Sequence, residues 1–391
     1  MRFARRLAQI VFIGAALGLA GFWLFAPALV EKSKNVVTSH APYPVSDAAQ
    51  ALHDSLIIGD WHADSLLWNR DLTQRGAYGQ VDLPRLQDGN VALQVFTAVT
   101  KSPAGLNYEE NAANARDNIT LLAFGQLWPI RTWTSLLQRA LYQAEKLRGF
   151  ESAAPDMVKI IRSRADLEDV LAKRAAGARI IGALLGIEGG HPLEGEIANL
   201  DRLVDAGYRL IGLQHFFDNE LGGSLHGVAN HGLSDFGRQV VAEVAARALI
   251  LDIAHSSPQV ARDVLAMTDI PIVLSHTGLH SHCPVKRNYP DDLMRDIAAT
   301  GGVIGIGYWA DVTCDDSPAG IAATVKAAIA AVGEDAVSLG SDYDGSVTTT
   351  FDASELAALT QAMLDAGLSD AQIAKVAGAN MLRVLRARLR D

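Results

Sequence analysis

The chain has 391 residues, about half of them apolar and a fifth charged, a balance that suits one large globular domain with a buried core. Its net charge of −10 is unevenly spread: residues 1–34 carry five positive side chains (Arg2, Arg5, Arg6, Lys32, Lys34) against Glu31, which leaves −14 for the remainder. So acidic a domain argues against nucleic acid as a partner, because that binding depends on Lys and Arg neutralising phosphates.

Three arginines precede Leu7 to Val30, a run whose one polar side chain is Gln9. Roughly 20 apolar residues cross the hydrocarbon core of a bilayer, so the run is long enough to span. Arginines before it and a weaker positive balance after it put the amino terminus in the cytoplasm and everything from about Glu31 outside, on the periplasmic side if the cell is bacterial. A cleaved signal is the rival, since Ala26-Pro27-Ala28 spaces small residues as a cleavage site does, and it would leave a secreted form starting at Leu29. Pro27 and the length of the apolar run favour an uncleaved anchor. The expected organisation is an anchor or signal over 1–34, a connector over 35–50 and one domain over 51–391. Within it, Cys283 and Cys314 follow strands on the same side; in an exported chain a bridge is expected, with two free thiols as the alternative.

Beyond the connector, short apolar runs predict strands near 56–60, 91–99, 180–187, 209–214, 249–254, 271–275, 303–308 and 337–341. Helical spacing predicts helices over Leu193–Ala206, Leu233–Ala248, Pro258–Met267, Asp291–Ala299 and Ile321–Val332, with Ser234 and Ser257 as caps and Pro258 in a first turn. Alternation implies parallel strands with right-handed crossovers, and eight strands imply a closed (β/α)8 TIM-type barrel. Met157–Ile161 reads as a ninth strand, which would put one of the eight outside the ring. An open doubly wound sheet is the runner-up, but no glycine-rich fingerprint follows the first strand. Residues 101–156 form an insertion with helical stretches at Glu109–Leu127 and Trp133–Leu147, placed over the barrel mouth. Residues 354–390 hold two further helices, the last containing Asn380 and ending in a basic, solvated face.

Potential metal or proton ligands end these apolar runs. The first strand leads into His62-Ala63-Asp64, residues 180–187 into Glu188, 249–254 into His255, 271–275 into His276, and 337–341 into Asp342. A polar residue ending a buried strand lies at the rim where α/β folds build their sites. His62 and Asp64, two apart, face the same way in an extended segment, and imidazole with carboxylate suits a divalent metal such as zinc. Glu188 precedes Gly189-Gly190, where the backbone can turn tightly. One metal is too few for His62, Asp64, Glu188, His255 and His276; two, with Glu188 bridging, would use them all. Such a pair can hold a hydroxide and polarise a carbonyl, leaving Asp342 to carry the proton to the leaving amine. No serine or cysteine stands in a nucleophile motif, so the expected reaction is metal-assisted hydrolysis.

The chain resembles the membrane (renal-type) dipeptidases, peptidase family M19 of the amidohydrolase superfamily, from about Asp60 to Arg386. The motifs that carry the resemblance are Asp60-Trp61-His62-Ala63-Asp64, Gly186-Ile187-Glu188-Gly189-Gly190-His191, Asp252-Ile253-Ala254-His255, Ser275-His276, Lys286-Arg287-Asn288 and Gly340-Ser341-Asp342-Tyr343-Asp344-Gly345. The resemblance implies two zinc ions, one on His62, Asp64 and Glu188 and the other on Glu188, His255 and His276. It also implies that His215 contacts substrate near the scissile carbonyl and that Arg287 receives the terminal carboxylate of a dipeptide. Ala63 replaces the asparagine of the animal enzymes, which removes no ligand. His191, His226, His231, His280 and His282 are read as solvated or supporting, without a role.

The expectation is therefore a zinc dipeptidase acting on small peptides, with a D-residue at the carboxyl end and a homodimer both left open. Two alternatives stand beside it: a related amidohydrolase acting on another amide or a lactone, and a membrane-tethered binding protein without catalysis.

Overall fold

The computed structural model describes residues 2–391. Eleven strands occur among them: β1 (Val36–Val37), β2 (Ile58–Ala63), β3 (Val91–Val99), β4 (Val158–Ile160), β5 (Ile181–Glu188), β6 (Tyr208–Gly212), β7 (Ile250–Asp252), β8 (Ile272–Thr277), β9 (Val303–Ile306), β10 (Val337–Leu339) and β11 (Thr348–Thr349). All pairings are parallel, and β2, β3, β5, β6, β7, β8, β9 and β10 follow one another around a nearly closed barrel. Helices on the outside connect them, as parallel neighbours require. The seam between β10 and β2 is closed by an Ala63–Tyr343 bridge, by Asp64 N donating to Tyr343 O at 2.9 Å, and by Ser341 N donating to the Asp60 carboxylate at 2.8 Å.

All eight predicted strands lie in this ring. The ninth is also present as β4, but it displaces none of them. It pairs with Ile181–Ala183 at the start of β5, whereas β6 pairs with Leu185–Ile187 further along the same edge.

Side chains alternate along β5. Leu184 joins the cluster that also holds Leu93, Val95, Leu210, Ile250 and Val273, while Leu185 and Ile187 pack with the helices outside. Two residues beyond each interior position comes the next, so Leu184, Gly186 and Glu188 share the barrel's inner face. The interior cluster continues into Met381, Leu382, Val384 and Leu385 of the last helix, Asn380–Arg388. Asn380 donates to Glu334 O and Val337 O at 2.8 Å, which docks that helix where the strands begin. The opposite end is left for the site.

Two local expectations are corrected. The helix expected over Glu109–Leu127 is confined to Asn118–Gly125. Asn107 Oδ1 instead accepts from the backbone N–H groups of Glu109 and Glu110, and Asp117 caps the helix through Ile119 N and Thr120 N; short polar side chains here satisfy backbone groups outside a helix. The basic end of the chain is not wholly solvated: Arg388 is buried and donates to Val244 O, Ala245 O and Leu249 O. Within the connector, Val36–Val37 forms β1, which pairs with β11.

The amino-terminal run forms one helix, α1 (Arg2–Lys34), long and apolar enough to cross a membrane. Its last turn is held at the open end of the barrel. Glu31 is buried and pairs with Arg70, which also donates to Asp344 Oδ2 at 2.5 Å.

Candidate metal centre and substrate cavity

At the open end the strand-terminal residues converge on Glu188. His255 Nε2 lies 3.1 Å, His276 Nε2 3.4 Å and His62 Nε2 3.5 Å from Glu188 Oε1, and His215 Nε2 lies 3.3 Å from Oε2. His62 Nε2 is 3.6 Å from Asp64 Oδ1 and 3.8 Å from Asp342 Oδ1. Three overlapping groups have ligand atoms close enough to share an ion: His62, Asp64 and Glu188; Glu188, His215 and His255; and His62, His276 and Asp342. The first is the trio expected for one metal. In the second His215 stands where His276 was expected, although His276 Nε2 is only 3.0 Å from His255 Nε2.

The backbone is bent to make this convergence. His255 and Asp342 have φ of +62° and +60°, a left-handed conformation that costs side-chain-bearing residues energy and collects at functional sites. Gly189 also has positive φ, +78°, and a Cβ there would run into the His191 ring. The turn after Glu188 therefore needs glycine.

Around the cluster lies a layer of buried polar groups. Ser275 Oγ donates to Asp252 Oδ2 at 2.6 Å and sits 2.8 Å from His276 Nδ1 and 3.4 Å from His62 Nδ1, so that both imidazoles present Nε2 to Glu188. Thr97 Oγ1 donates to Asp64 Oδ1 at 2.5 Å. Asp60 accepts from Ser341 and Gln94. Asp344 is fully buried and accepts from Ser65, Arg70 and Gln80 N.

The charges explain what the cluster can hold. Burial, then Asp64, pushes the Glu188 carboxyl well above its usual range. Burial lifts Asp342 to about 8, against the pull of His62. Burial also opposes the His62 cation, but Glu188, Asp64 and Asp342 outweigh it and hold its pKa up at about 10. His255 and His276 are pushed well down by burial, and His215 to about 4 by the same cause. Buried carboxylates without a cation are costly. A divalent ion among them would let the acids ionise and the imidazoles stay neutral, the state in which both coordinate metals. His62 Nε2, buried without a hydrogen-bond partner, offers a lone pair to such an ion. The residues fit a metal.

A cavity of about 480 Å³ opens onto the cluster, lined by Asp64, Glu188, His215, His255 and Asp342 at its floor and by Trp68, Tyr108, Ile119, Leu122 and Phe216 above. Its volume falls in the range for small molecules, about 300–1,000 Å³. Arg287 is buried behind the floor, donating to His276 O at 2.7 Å and lying 3.4 Å from His255 Nε2, and its Nε has no partner.

Among the histidines read as solvated or supporting, His231 and His282 are exposed and His280 half-buried, but His191 and His226 are buried. His226 stacks on Phe216 against His255, and its Nδ1 lies 2.7 Å from Tyr108 O. The supporting roles of Asp60 and Asp252 were not read from the sequence, although each precedes a histidine at the end of a strand, by two and three residues. Tyr108, which accepts from Trp309 Nε1 at 3.0 Å, comes from irregular chain and carried no signal.

A parallel barrel that gathers carboxylates and imidazoles around one closed-floored cavity defines a metal-dependent hydrolase. The description of membrane dipeptidases, peptidase family M19, matches residues 46–390. The chain is 30% identical to a dipeptidase of Aspergillus oryzae named aclJ, over 83% of this chain and 76% of that one. The fold matches a solved metallopeptidase named dipeptidase AC (TM-score 0.69, 23% identity, 86% of this chain and 100% of that one). It also matches a Rhodobacter sphaeroides metallopeptidase solved with a phosphinate mimic of the dipeptide L-Ala-D-Ala (TM-score 0.68, 22% identity, 85% and 99%). The chain belongs to the M19 membrane dipeptidases and is a metallo-dipeptidase, a hydrolase of peptide bonds.

Proposed function

We propose a two-zinc dipeptidase held to the membrane by α1, with its barrel outside the cytoplasm. The observation that carries this reading is the convergence on Glu188, which offers one oxygen to His255, His276 and His62 and the other to His215. His62, Asp64 and Glu188 would hold one ion and Glu188, His255 and His276 the other, with His215 beside them, 3.3 Å from Glu188 Oε2. The ions, when bound, would polarise the scissile carbonyl and activate water.

The chain's own residues would do the rest. Asp342, beside His62 and on the cavity floor, takes a proton from the attacking water and returns it to the leaving amine. His215 faces the substrate's carbonyl from the same floor. Arg287 has an unpartnered Nε and a guanidinium suited to a carboxylate, so it reads the free carboxylate that in a dipeptide lies one residue beyond the scissile bond. Phe216, Leu122 and Trp68 keep bulk water from the reacting bond.

The mimic bound by the Rhodobacter sphaeroides enzyme makes a D-residue at the carboxyl end a natural substrate to include. A panel of dipeptides with L- and D-residues at that position, assayed with and without a chelator, tests the reading. Hydrolysis of dipeptides that the chelator abolishes and zinc restores is expected. Cleavage confined to other amides or lactones would sink it.

A further inference from the structure

The wall of the cavity that faces α1 is built from two-sided elements. In the insertion helix Asn118–Gly125, Ile119 and Leu122 line the cavity while Leu121 is exposed to solvent and Phe124, partly exposed, faces α1. Leu127 and Ile130, just beyond, are 60% and 76% exposed. Outside α1, the described residues include eight exposed large hydrophobic side chains, and five of them (Leu106, Leu121, Phe124, Leu127, Ile130) belong to this one insertion. Single exposed apolar residues need no explanation, but a local concentration marks an interaction surface.

The surface is continuous with α1. Phe124 packs against Trp23 and Phe22, with ring centres 5.8 and 6.5 Å apart. From the buried Glu31 to Trp23 the helix climbs eight residues, about 12 Å at 1.5 Å each. The apolar run Leu7–Val30 is about 36 Å long, some 6 Å more than a bilayer's hydrocarbon core of roughly 30 Å. A core that begins near Leu7 takes about 20 residues and ends near Ala26, which puts Trp23 in the last turn before the boundary that tryptophan favours. Phe124, at the level of Trp23, is then at the same depth. Val30 and Lys34 of α1 line the cavity itself, so the helix leaves the membrane at the open end of the barrel and not at its plugged end.

We propose that Leu121, Phe124, Leu127 and Ile130 are seated in the leaflet that α1 enters, so that the substrate cavity opens at the membrane surface. This rests on the anchor reading of α1. The insertion is then a second, interfacial contact of the kind apolar helix faces make at the boundary between headgroups and acyl chains. It fixes the tilt of the barrel, which a single helix would leave free.

The full chain, carrying Leu127→Cys and labelled with an environment-sensitive fluorophore, tests this in phosphatidylcholine vesicles. Both native cysteines are disulfide-bonded, so an added thiol is labelled alone. Ile130→Cys serves as a second site, and Ala176→Cys, exposed in the loop before β5 at the plugged end, as the reference. Dipeptide hydrolysis by the labelled protein reports that it is folded. The expected result is blue-shifted emission at 127 and 130, lost to a quencher attached to the lipid acyl chains, with neither effect at 176. Water-like emission at all three sites in protein that floats with the vesicles would overturn the membrane contact and leave the anchor standing. A blue shift without lipid quenching would show another protein surface covering the patch, and would also overturn it. Failure of the protein to float with vesicles would reject the anchor, and the contact with it.

Discussion

The floor and the walls of the cavity are built by different rules. The floor is made of single residues at the ends of buried strands, several of them held by a buried partner: Thr97 on Asp64, and Asp252 through Ser275 on His276. The walls are made of loops, the helix Asn118–Gly125 and the end of α1, joined by apolar contacts, by buried ion pairs such as the chain from Glu31 through Arg70 to Asp344, and by the disulfide Cys283–Cys314. Changes at the floor should therefore abolish chemistry while leaving the fold, and changes in the walls should alter access, affinity or stability while leaving chemistry.

The sharpest effect is expected at Asp342. Asp342→Asn should lower kcat by roughly 10²–10⁴-fold, as removal of a general base does, with metal content and KM nearly unchanged. Near-normal turnover would take Asp342 out of proton transfer. Next comes Asp252, which touches no cavity. Asp252→Asn should loosen Ser275 and with it the orientation of His276 and His62, weakening metal affinity by roughly 10–100-fold, and added zinc should restore much of the activity. Equal loss at saturating zinc would mean that Asp252 acts on the fold instead.

Arg287 is the test case between floor and wall. Arg287→Ala should raise KM strongly for free dipeptides and much less for dipeptide amides, which lack the carboxylate; equal weakening of both would remove it from substrate recognition. The smallest effect on chemistry is expected in the walls. The disulfide joins the loops after β8 and β9 across 31 residues, and Asn288 links the same loops by donating to Cys283 O and Val312 O. Replacing both cysteines by serine should cost roughly 3–4 kcal/mol of stability, measured by denaturant unfolding, with kcat held. A large fall in kcat would mean that the walls position the reacting groups after all.

The same division explains what the sequence made legible. Glu188, His255, His276 and Asp342 could be found because buried parallel strands write uninterrupted apolar runs, and the polar residue that breaks such a run stands out. The order of the strands followed from their alternation with helices. His62 and Asp64 were found by their spacing, but the pairing of His215 with Glu188 and His255 depends on where β6 sits against β5, which no local pattern records. Asp252 and Asp60 were visible within motifs yet silent about their role, because their partners Ser275 and Ser341 stand on or just past neighbouring strands, 23 and 281 residues away along the chain. The walls were least legible. Glu109–Leu127 reads as helical, but Asn107 and Asp117 satisfy backbone groups ahead of a helix confined to Asn118–Gly125, and only tertiary contacts bring Tyr108 to the cavity. The burial of Glu31 at the end of an apolar run was likewise invisible without Arg70, 39 residues on.

The claim on which the rest depends is that Glu188 serves two metals at once. Its most direct measurement is the zinc content per folded chain in the unaltered protein and in Glu188→Gln. The account predicts two ions in the first and loss at both positions in the second, because one amide oxygen cannot replace two anionic bonds. Two ions retained in Glu188→Gln, or a single ion in the unaltered protein, would contradict it.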